Sequence, residues 1–258
     1  MSGYAWLSLT TDYGRSDGFV AACHGVVARI APQVRVIDVT HLIPAGDIVR
    51  GAAILAQTVG YLPPAVHVAV VDPGVGTARR GVALRTPGGL LVGPDNGLLP
   101  WAATTLGGVT EAVELTSPDW FPTVSRTFHG RDVFAPAAAR FALGAALTEA
   151  GPEIDPAGLV RLPDPVVEEG DGWLSAEVLT IDHFGNVQLA APGAAWHRLG
   201  GTVRIGGRTA VRGSTFADAS PGQLVVFVDS AGQLAVAVNG GRADQVLGVG
   251  PGDVVRLE

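Results

Sequence analysis

The amino-acid sequence predicts an α/β domain with a mainly parallel sheet, followed by a small all-β domain that is barrel-like. Over roughly the first 160 residues, β-branched runs alternate with segments of helical periodicity, which is typical of βαβ units. Beyond residue 173 only short apolar runs between glycine turns remain. Between these patterns, residues 162–172 contain two prolines and four acidic residues, which suits a linker or a long connection. We therefore predict an α/β domain at 1–165 and a β domain at 173–258.

The first strand is predicted at residues 4–9, an apolar run that ends at Thr10-Thr11-Asp12. Apolar side chains at helical spacing then predict a helix over 19–30, with Ser16 or Asp17 as its N-cap. The apolar residues 34–37 predict a buried strand that ends at Asp38.

Asp47 is the predicted N-cap of a second helix, because apolar positions at helical spacing follow it. The β-branched run 66–71 predicts a strand that ends at Asp72 and leads into a Pro-Gly-Val-Gly turn. Further strands are predicted at 82–85 and 90–92, and a third helix at 133–143.

The β domain is predicted from short runs of β-forming residues separated by turns. Gly206-Gly207 and Ser230-Ala231-Gly232 lie where hairpin turns are needed. The predicted strands lie at residues 173–181, 187–189, 203–205, 223–228, 234–238 and 254–257.

Composition excludes several classes of chemistry. All 17 basic residues are arginine, so the chain has no lysine for a Schiff base, a Walker A loop or a kinase active site. Cys23 is the sole cysteine, which excludes a disulfide framework and a cysteine-based cluster. The net charge of −7, without a basic cluster, argues against nucleic-acid binding. Because a basic leader and a long apolar window are both absent, we expect a cytoplasmic protein without membrane contact.

Asp12, Asp38 and Asp72 each follow a predicted strand. Ligands of open parallel sheets bind at the carboxyl ends of the strands, so these carboxylates are candidate site residues. Aspartate also ends strands for reasons of turn chemistry alone, and both interpretations stay open. Asp12 is the more suggestive, because a carboxylate there accepts two hydrogen bonds from a vicinal diol.

Gly14-Arg15-Ser16-Asp17-Gly18 matches the G-x-S-x-G pattern of a serine hydrolase. In that fold, however, the nucleophile follows a central strand, whereas Ser16 follows the first strand of the chain. A role for Ser16 in capping the next helix agrees better with its position. A serine hydrolase that uses Ser16 is kept as an alternative.

Two further segments combine residue types that carry chemistry. Residues 127–132 place His129, Arg131 and Asp132 ahead of an apolar helix. Residues 181–186 place Asp182, Phe184 and Asn186 between two strands, where an exposed aromatic ring could stack on a purine. No H-E-x-x-H motif occurs and no histidines pair at i, i+4, so we predict no metal site.

Five blocks, in order along the chain, resemble the S-adenosyl-L-methionine (SAM) hydroxide adenosyltransferases, or SAM hydrolases, which are relatives of the fluorinases and chlorinases. The blocks are residues 9–14, 70–77, 94–99, 127–132 and 182–187. The resemblance implies an N-terminal α/β domain, a C-terminal barrel-like domain and a homotrimer. It also implies that SAM binds between subunits and reacts with water to give adenosine and L-methionine, with no separate cofactor.

The resemblance also implies roles for individual residues. The catalytic set falls on Asp72, Arg79 and His129, which would orient one water, with Asp72 or His129 accepting its proton. Asp12 is implied to bind the ribose diol. The positions implied for the rest of the substrate are Asp182, Asn186 and Ser230 near the methionine part, and Phe184 and Val238 near the adenine.

Two departures from the halogenating relatives favour water as the nucleophile. Those enzymes resemble this chain but carry Tyr in place of Asp72 and Ser in place of Gly130. A halide requires a neutral and tightly desolvating pocket, and an ionisable Asp72 argues against one. A SAM-dependent halogenase and a non-catalytic protein that binds SAM or adenosine are kept as alternatives.

Overall fold

The computed structural model describes residues 3–258, which form two compact units that divide between Leu162 and Pro163. Within the described residues no helix is long and apolar enough to cross a membrane.

The N-terminal unit is built from strands that alternate with helices. The strands are β1 (Trp6–Thr11), β2 (Arg35–Thr40), β3 (Ala65–Val70), β4 (Gly81–Thr86), β5 (Gly89–Pro94) and β6 (Glu111–Glu114). The α-helices are α1 (Phe19–Ile30), α2 (Ile48–Val59), α3 (Pro100–Thr105) and α4 (Ala135–Ala142). A π-helical turn (Gly130–Phe134) precedes α4, and 3-10 turns lie at Leu147–Glu149 and Pro156–Gly158.

The strands of this unit form one mixed sheet in the order β2-β1-β3-β5-β4-β6. Neighbouring strands are parallel from β2 to β5, whereas β4 runs antiparallel to both β5 and β6. The predicted α/β fold with a mainly parallel sheet is therefore confirmed. Because Thr11 at the end of β1 pairs with Val70 at the end of β3, Asp12 and Asp72 emerge at the same edge.

Helices cover both faces of the sheet, and the alternation of side chains along a strand explains why. Val66, Val68 and Val70 of β3 point to a core that also contains residues of α1 and α4. Ala69 and Val71 point to the opposite core, which contains residues of α2 and α3. The central strand β3 is buried along its whole length, including His67 in its middle.

The predicted N-cap of α1 is wrong. The helix begins after Gly18, which makes no side-chain cap bond, so Ser16 and Asp17 lie too far upstream to reach the free amides of the first turn. The Ser16 hydroxyl donates instead to Asp17 Oδ2, at 3.4 Å. The predicted cap of α2 is confirmed, since Asp47 Oδ1 accepts from the Arg50 amide at 2.9 Å.

The C-terminal unit consists almost entirely of strands. These are β7 (Val167–Gly170), β8 (Trp173–Ile181), β9 (Val187–Pro192), β10 (Thr202–Ile205), β11 (Arg208–Arg212), β12 (Leu224–Val228), β13 (Gln233–Val238) and β14 (Val254–Leu257). A short helix α5 (Ala243–Leu247) and 3-10 turns at Gly193–Arg198 and Phe216–Asp218 complete the unit.

This unit is a closed barrel, as predicted. Its strands follow one another in the order β14-β10-β11-β12-β13-β9-β8, and the pairing of β14 with β8 closes the ring. Inward residues such as Leu174, Val187 and Val236 are fully buried in its core. Strand β7 is not part of this ring and, among the described strands, pairs only with β8. The sequence analysis assigned its residues to a linker. Its exposed glutamates, Glu168 and Glu169, are typical of a sheet edge.

Candidate active site

A cavity of about 320 Å³ opens at the edge of the N-terminal sheet where β1 and β3 end. Both strands stop in a loop there, which leaves backbone and polar side chains facing the opening. The lining includes Asp12, Tyr13, Gly46, Asp72, His129 and Gly130. Residues separated by more than a hundred positions in the sequence thus meet in one pocket.

Asp12 is held in place by the loop that follows β2. Its Oδ2 accepts a hydrogen bond from the Gly46 amide at 2.9 Å. Gly46 has φ of +75°, a left-handed conformation that favours glycine, and Asp47 directly after it caps α2. The start of α2 therefore fixes the direction of the Asp12 carboxylate in the cavity.

Asp72 forms a fork-like ion pair with Arg79. Arg79 Nε lies 2.9 Å from Oδ1 and 3.0 Å from Oδ2, and Nη2 also bonds Oδ2. The two side chains are only 5% and 11% exposed, so water screens the pair poorly. The turn between them contains Gly76, where a Cβ atom would lie 2.2 Å from the Arg126 carbonyl oxygen. The geometry thus requires glycine at this turn.

His129 joins this pair through Arg79, whose Nη2 lies 2.8 Å from His129 Nδ1. Arginine only donates hydrogen bonds, so Nδ1 must accept, and the proton of the neutral ring lies on Nε2. Partial burial and the charge of Arg79 lower the pKa of His129 below its ordinary value, against the opposing effect of Asp72 and Asp132. The ring is therefore neutral at pH 7, with an N–H group available to a ligand.

The adjacent arginine, Arg80, lies in a different environment. Its Nε bonds Asp95 Oδ2 at 2.9 Å, and its Nη2 donates to the Gly158 carbonyl. Arg79, and not Arg80, thus contacts both Asp72 and His129.

Tyr13 and Gly130 make a close contact that the sequence analysis did not anticipate. A Cβ atom on Gly130 would lie 2.0 Å from the Tyr13 hydroxyl oxygen. The tyrosine ring is packed edge-on against Phe128, at 5.6 Å between centroids, and lies 6.0 Å from the ring of Phe19. The space that a serine would need at residue 130 is therefore filled by Tyr13.

Two candidates from the sequence lie outside this cavity. Asp38 contacts His24 and His41 on the outer side of β2 rather than the cavity. Ser16 is exposed, its hydroxyl donates to Asp17, and among the described residues no histidine forms a hydrogen bond with it. The arrangement thus offers Ser16 no general base.

The C-terminal unit has a second cavity, of about 600 Å³, beside the turn between β8 and β9. Its lining includes Asp182, Phe184, Asn186 and Val238, together with Phe216, which the sequence analysis missed. Asp182 organises the turn, since its Oδ1 accepts from the amides of Phe184 and Asn186, each at 2.9 Å. Phe184 is 72% exposed, an unusual state for a large aromatic side chain.

Ser230 does not line the second cavity. It lies exposed in the turn between β12 and β13, where Asp229 Oδ1 accepts from the Ala231 amide at 2.9 Å. The turn is thus built by Asp229, and the hydroxyl of Ser230 is left at the surface.

Comparison with known proteins identifies the family. Residues 7–151 match the SAM hydroxide adenosyltransferase N-terminal domain, and residues 176–256 match the C-terminal domain. Relatives from Salinispora arenicola and Salinispora tropica, each named (R)-S-adenosyl-L-methionine hydrolase, are 66% and 64% identical, over 100% of this chain and 99% of theirs. A fluorinase from an Actinoplanes species is 29% identical, over 92% of each chain.

The fold is also found among solved structures. A structure of an uncharacterized conserved protein from Thermotoga maritima superposes with a TM-score of 0.88 at 34% identity, covering 97% of this chain and 99% of that one. Both family domains, in order and over most of the chain, lead to one conclusion. The chain belongs to the SAM hydroxide adenosyltransferase family.

Proposed function

We propose that this protein is an enzyme that hydrolyses S-adenosyl-L-methionine to adenosine and L-methionine. The observation that carries the proposal is the chain of contacts from Asp72 through Arg79 to His129, with Asp72 and His129 lining the same cavity as Asp12. The relatives at 66% and 64% identity are named (R)-S-adenosyl-L-methionine hydrolase, which supports the proposal and favours the (R) form as the substrate.

The chemistry of the substrate explains what the site must supply. The 5′ carbon of SAM carries a sulfonium group that leaves as a neutral thioether, so no acid, metal or cofactor is needed at the leaving group. The nucleophile is water, which must be oriented in line with the carbon–sulfur bond and relieved of a proton. A site for this reaction therefore needs groups that hold and deprotonate one water.

In this proposal Asp72 accepts the proton. The Nδ1 lone pair of His129 is occupied by Arg79, so the ring donates its Nε2–H to the water and orients it. As the water oxygen bonds to the 5′ carbon, the carbon–sulfur bond breaks and its electron pair passes to sulfur. The proton of the water passes to the Asp72 carboxylate, and Arg79 holds both partners with a charge that does not titrate.

The remaining predicted residues are assigned to substrate binding. Asp12 accepts hydrogen bonds from the ribose diol, with its direction set by the Gly46 amide. We assign Asp182, Asn186 and Ser230 to the methionine part. Phe184 and Val238 are assigned to the adenine, and the exposure of Phe184 supports a role against a ligand.

We further propose a homotrimer, with SAM bound between the N-terminal unit of one subunit and the C-terminal unit of the next. The enzyme would act in the cytoplasm, without nucleic-acid or membrane partners. Light scattering should then give a mass three times that of the chain.

A direct assay tests the proposed reaction. The protein is incubated with (R)-SAM and with the (S) form in 18O-labelled water, and the products are separated by chromatography. We expect adenosine and methionine in equal amounts from (R)-SAM, with the label in adenosine. Formation of 5′-chloro-5′-deoxyadenosine with added chloride would show a halogenase instead. Binding of SAM without turnover would show a binding protein, and loss of hydrolysis in Ser16→Ala would point to a serine nucleophile.

Shared sites predict complementation between inactive variants. Asp72→Asn removes a group of the N-terminal unit, and Asp182→Ala removes one of the C-terminal unit. When both chains are co-expressed in equal amounts and assemble at random, about one quarter of all sites have both groups intact, and activity should recover to that level. Co-expressed activity no higher than the sum of the separate variants would place each site within a single chain.

The rate should fall at acidic pH through His129. Protonation at Nδ1 breaks its bond with Arg79, which cannot accept. Because the pKa of His129 lies below its ordinary value of 6.5, kcat/KM should stay level from neutral pH down to about pH 6.5 and fall below it. NMR titration of the ring, assigned with His129→Gln, gives the midpoint independently. An acid limb centred at or above pH 6.5 would contradict this role.

A further inference from the structure

Three ligand-type side chains meet on the outer side of the N-terminal sheet. His24 comes from α1, Asp38 from β2, and His41 from the loop directly after β2. His24 Nε2 lies 2.9 Å from Asp38 Oδ1, and His41 Nε2 lies 3.1 Å from the same oxygen. The three ligand atoms all lie within 4.8 Å of one another, and no other such group is found among the described residues.

His41 is oriented from behind by a partner outside the cluster. Its Nδ1 lies 2.9 Å from Thr11 Oγ1, which also accepts a hydrogen bond from the Tyr13 amide at 3.2 Å. When Nδ1–H donates to this hydroxyl, Nε2 carries the lone pair and faces the cluster. An oxygen partner on the far nitrogen is the usual companion of a metal-binding histidine.

His41 Nε2 is buried and has no aligned hydrogen-bond partner, although it lies close to a carboxylate oxygen. The whole side chain is only 3% exposed, so water does not solvate this nitrogen. With the proton on Nδ1, the lone pair of Nε2 faces a carboxylate oxygen at 3.1 Å, which is repulsive unless a positive charge lies between the two atoms. A cation shared by the three side chains supplies that charge.

The donor set selects the kind of cation. Two imidazole nitrogens and one carboxylate oxygen suit zinc, whereas calcium and magnesium prefer oxygen ligands alone. Tetrahedral bonds of ~2.0–2.1 Å place ligand atoms about 3.3 Å apart. The two distances to Asp38 Oδ1, 2.9 and 3.1 Å, are close to this value. His24 and Asp38 are 37% and 38% exposed, which leaves a fourth position open to water.

We propose that His24, Asp38 and His41 bind one zinc ion, with water as the fourth ligand. The ion joins α1 to β2 and to the loop that begins at His41. The carbonyl of His41 accepts from the Gly14 amide at 2.8 Å, and the same loop supplies the amide that holds Asp12. The ion thus stabilises the wall of the cavity without touching the reacting atoms.

The spacing explains why the sequence analysis predicted no metal site. His24 and Asp38 are 14 residues apart, and Asp38 and His41 are three apart, which matches no i, i+4 helical pattern. The ligands converge only because the fold brings His24 of α1 to the end of β2, where Asp38 and the loop residue His41 lie.

Zinc binding to the untagged, chelator-treated full-length protein tests the proposal. We expect one zinc per chain by elemental analysis and by titration with zinc chloride, and a higher Tm in its presence. His24→Ala should weaken binding by at least ~100-fold, since loss of an outer-shell partner alone costs about 10–100-fold. Alanine suits the helix, so this variant keeps the fold. Asp38→Asn should weaken binding in the same way.

His197→Ala is the matched control, because His197 is an exposed histidine outside the cluster. It should bind zinc as the unchanged protein does. Cobalt in place of zinc should give the absorption of a tetrahedral site in the control but not in His24→Ala. The proposal fails if the unchanged protein binds no stoichiometric zinc, or if His24→Ala and Asp38→Asn bind it as tightly. It also fails if His197→Ala loses as much affinity as they do.

Discussion

Asp72→Asn is expected to lower kcat by about 10²–10⁴-fold, the usual contribution of a positioned proton acceptor. Asparagine keeps the shape of the side chain and one oxygen for Arg79, but it cannot take a proton from water. The contact between Arg79 and His129 stays available, so SAM binding should change far less than turnover. Steady-state kinetics of adenosine formation measure kcat and KM separately.

Asp95→Asn is the matched control for this experiment. Asp95 forms a similar ion pair with Arg80, and its side chain is 4% exposed, close to the 5% of Asp72. It does not line the cavity, so its loss should reduce stability without reducing kcat. If Asp95→Asn lost as much turnover as Asp72→Asn, the effect would come from the broken ion pair. If Asp72→Asn kept more than about a tenth of kcat, Asp72 would not be the proton acceptor.

Gly130→Ala is expected to destabilise the protein by about 1–3 kcal/mol, the usual cost of overpacking. The new methyl group would lie 2.0 Å from the Tyr13 hydroxyl oxygen, and the ring of Tyr13 is confined by Phe128 and Phe19. The ring of Tyr13 must therefore move, and this movement should displace Asp12, which directly precedes Tyr13 in the chain. A displacement of about 1 Å in a positioned group costs up to ~100-fold in kcat/KM.

A double-mutant cycle identifies the contact responsible. Tyr13→Phe removes the hydroxyl oxygen, so combining it with Gly130→Ala should recover most of the lost stability. Denaturant unfolding of the two single variants and the double variant gives the interaction energy. A double variant no more stable than Gly130→Ala, or a Gly130→Ala variant as stable as the unchanged protein, would show that Tyr13 is not the obstacle.

Local patterns in the sequence predicted much of the fold. The β-branched run of β3 and the Asp47 cap are properties of neighbouring residues, and the structure contains both. The helices and strands that were missed have four to six residues each, and they are α3, β6, β7, β11 and α5. Such segments are too short to show a period, and they depend on partners from elsewhere in the chain.

The candidate site was predictable in its residue types but not in its contacts. Asp12 and Asp72 were predicted because each follows a strand. The same reasoning also included Asp38, which contacts His24 and His41 instead of lining the cavity. The contact of Tyr13 with Gly130 joins residues far apart in sequence, so no local pattern contains it. The ring nitrogen that His129 presents likewise depends on Arg79, 50 residues earlier.

The antiparallel direction of β4 places Asp72 and Arg79 in the same loop of the chain. Because β4 runs against β3 and β5, the chain enters it at the same edge where β3 ended. Asp72 and Arg79, only seven residues apart, therefore belong to one contiguous segment that leaves the sheet and returns to it. A change in the length of that segment would move the carboxylate relative to the guanidinium while every strand kept its register. The geometry of the Asp72–Arg79 ion pair is thus adjustable by variation in a single loop.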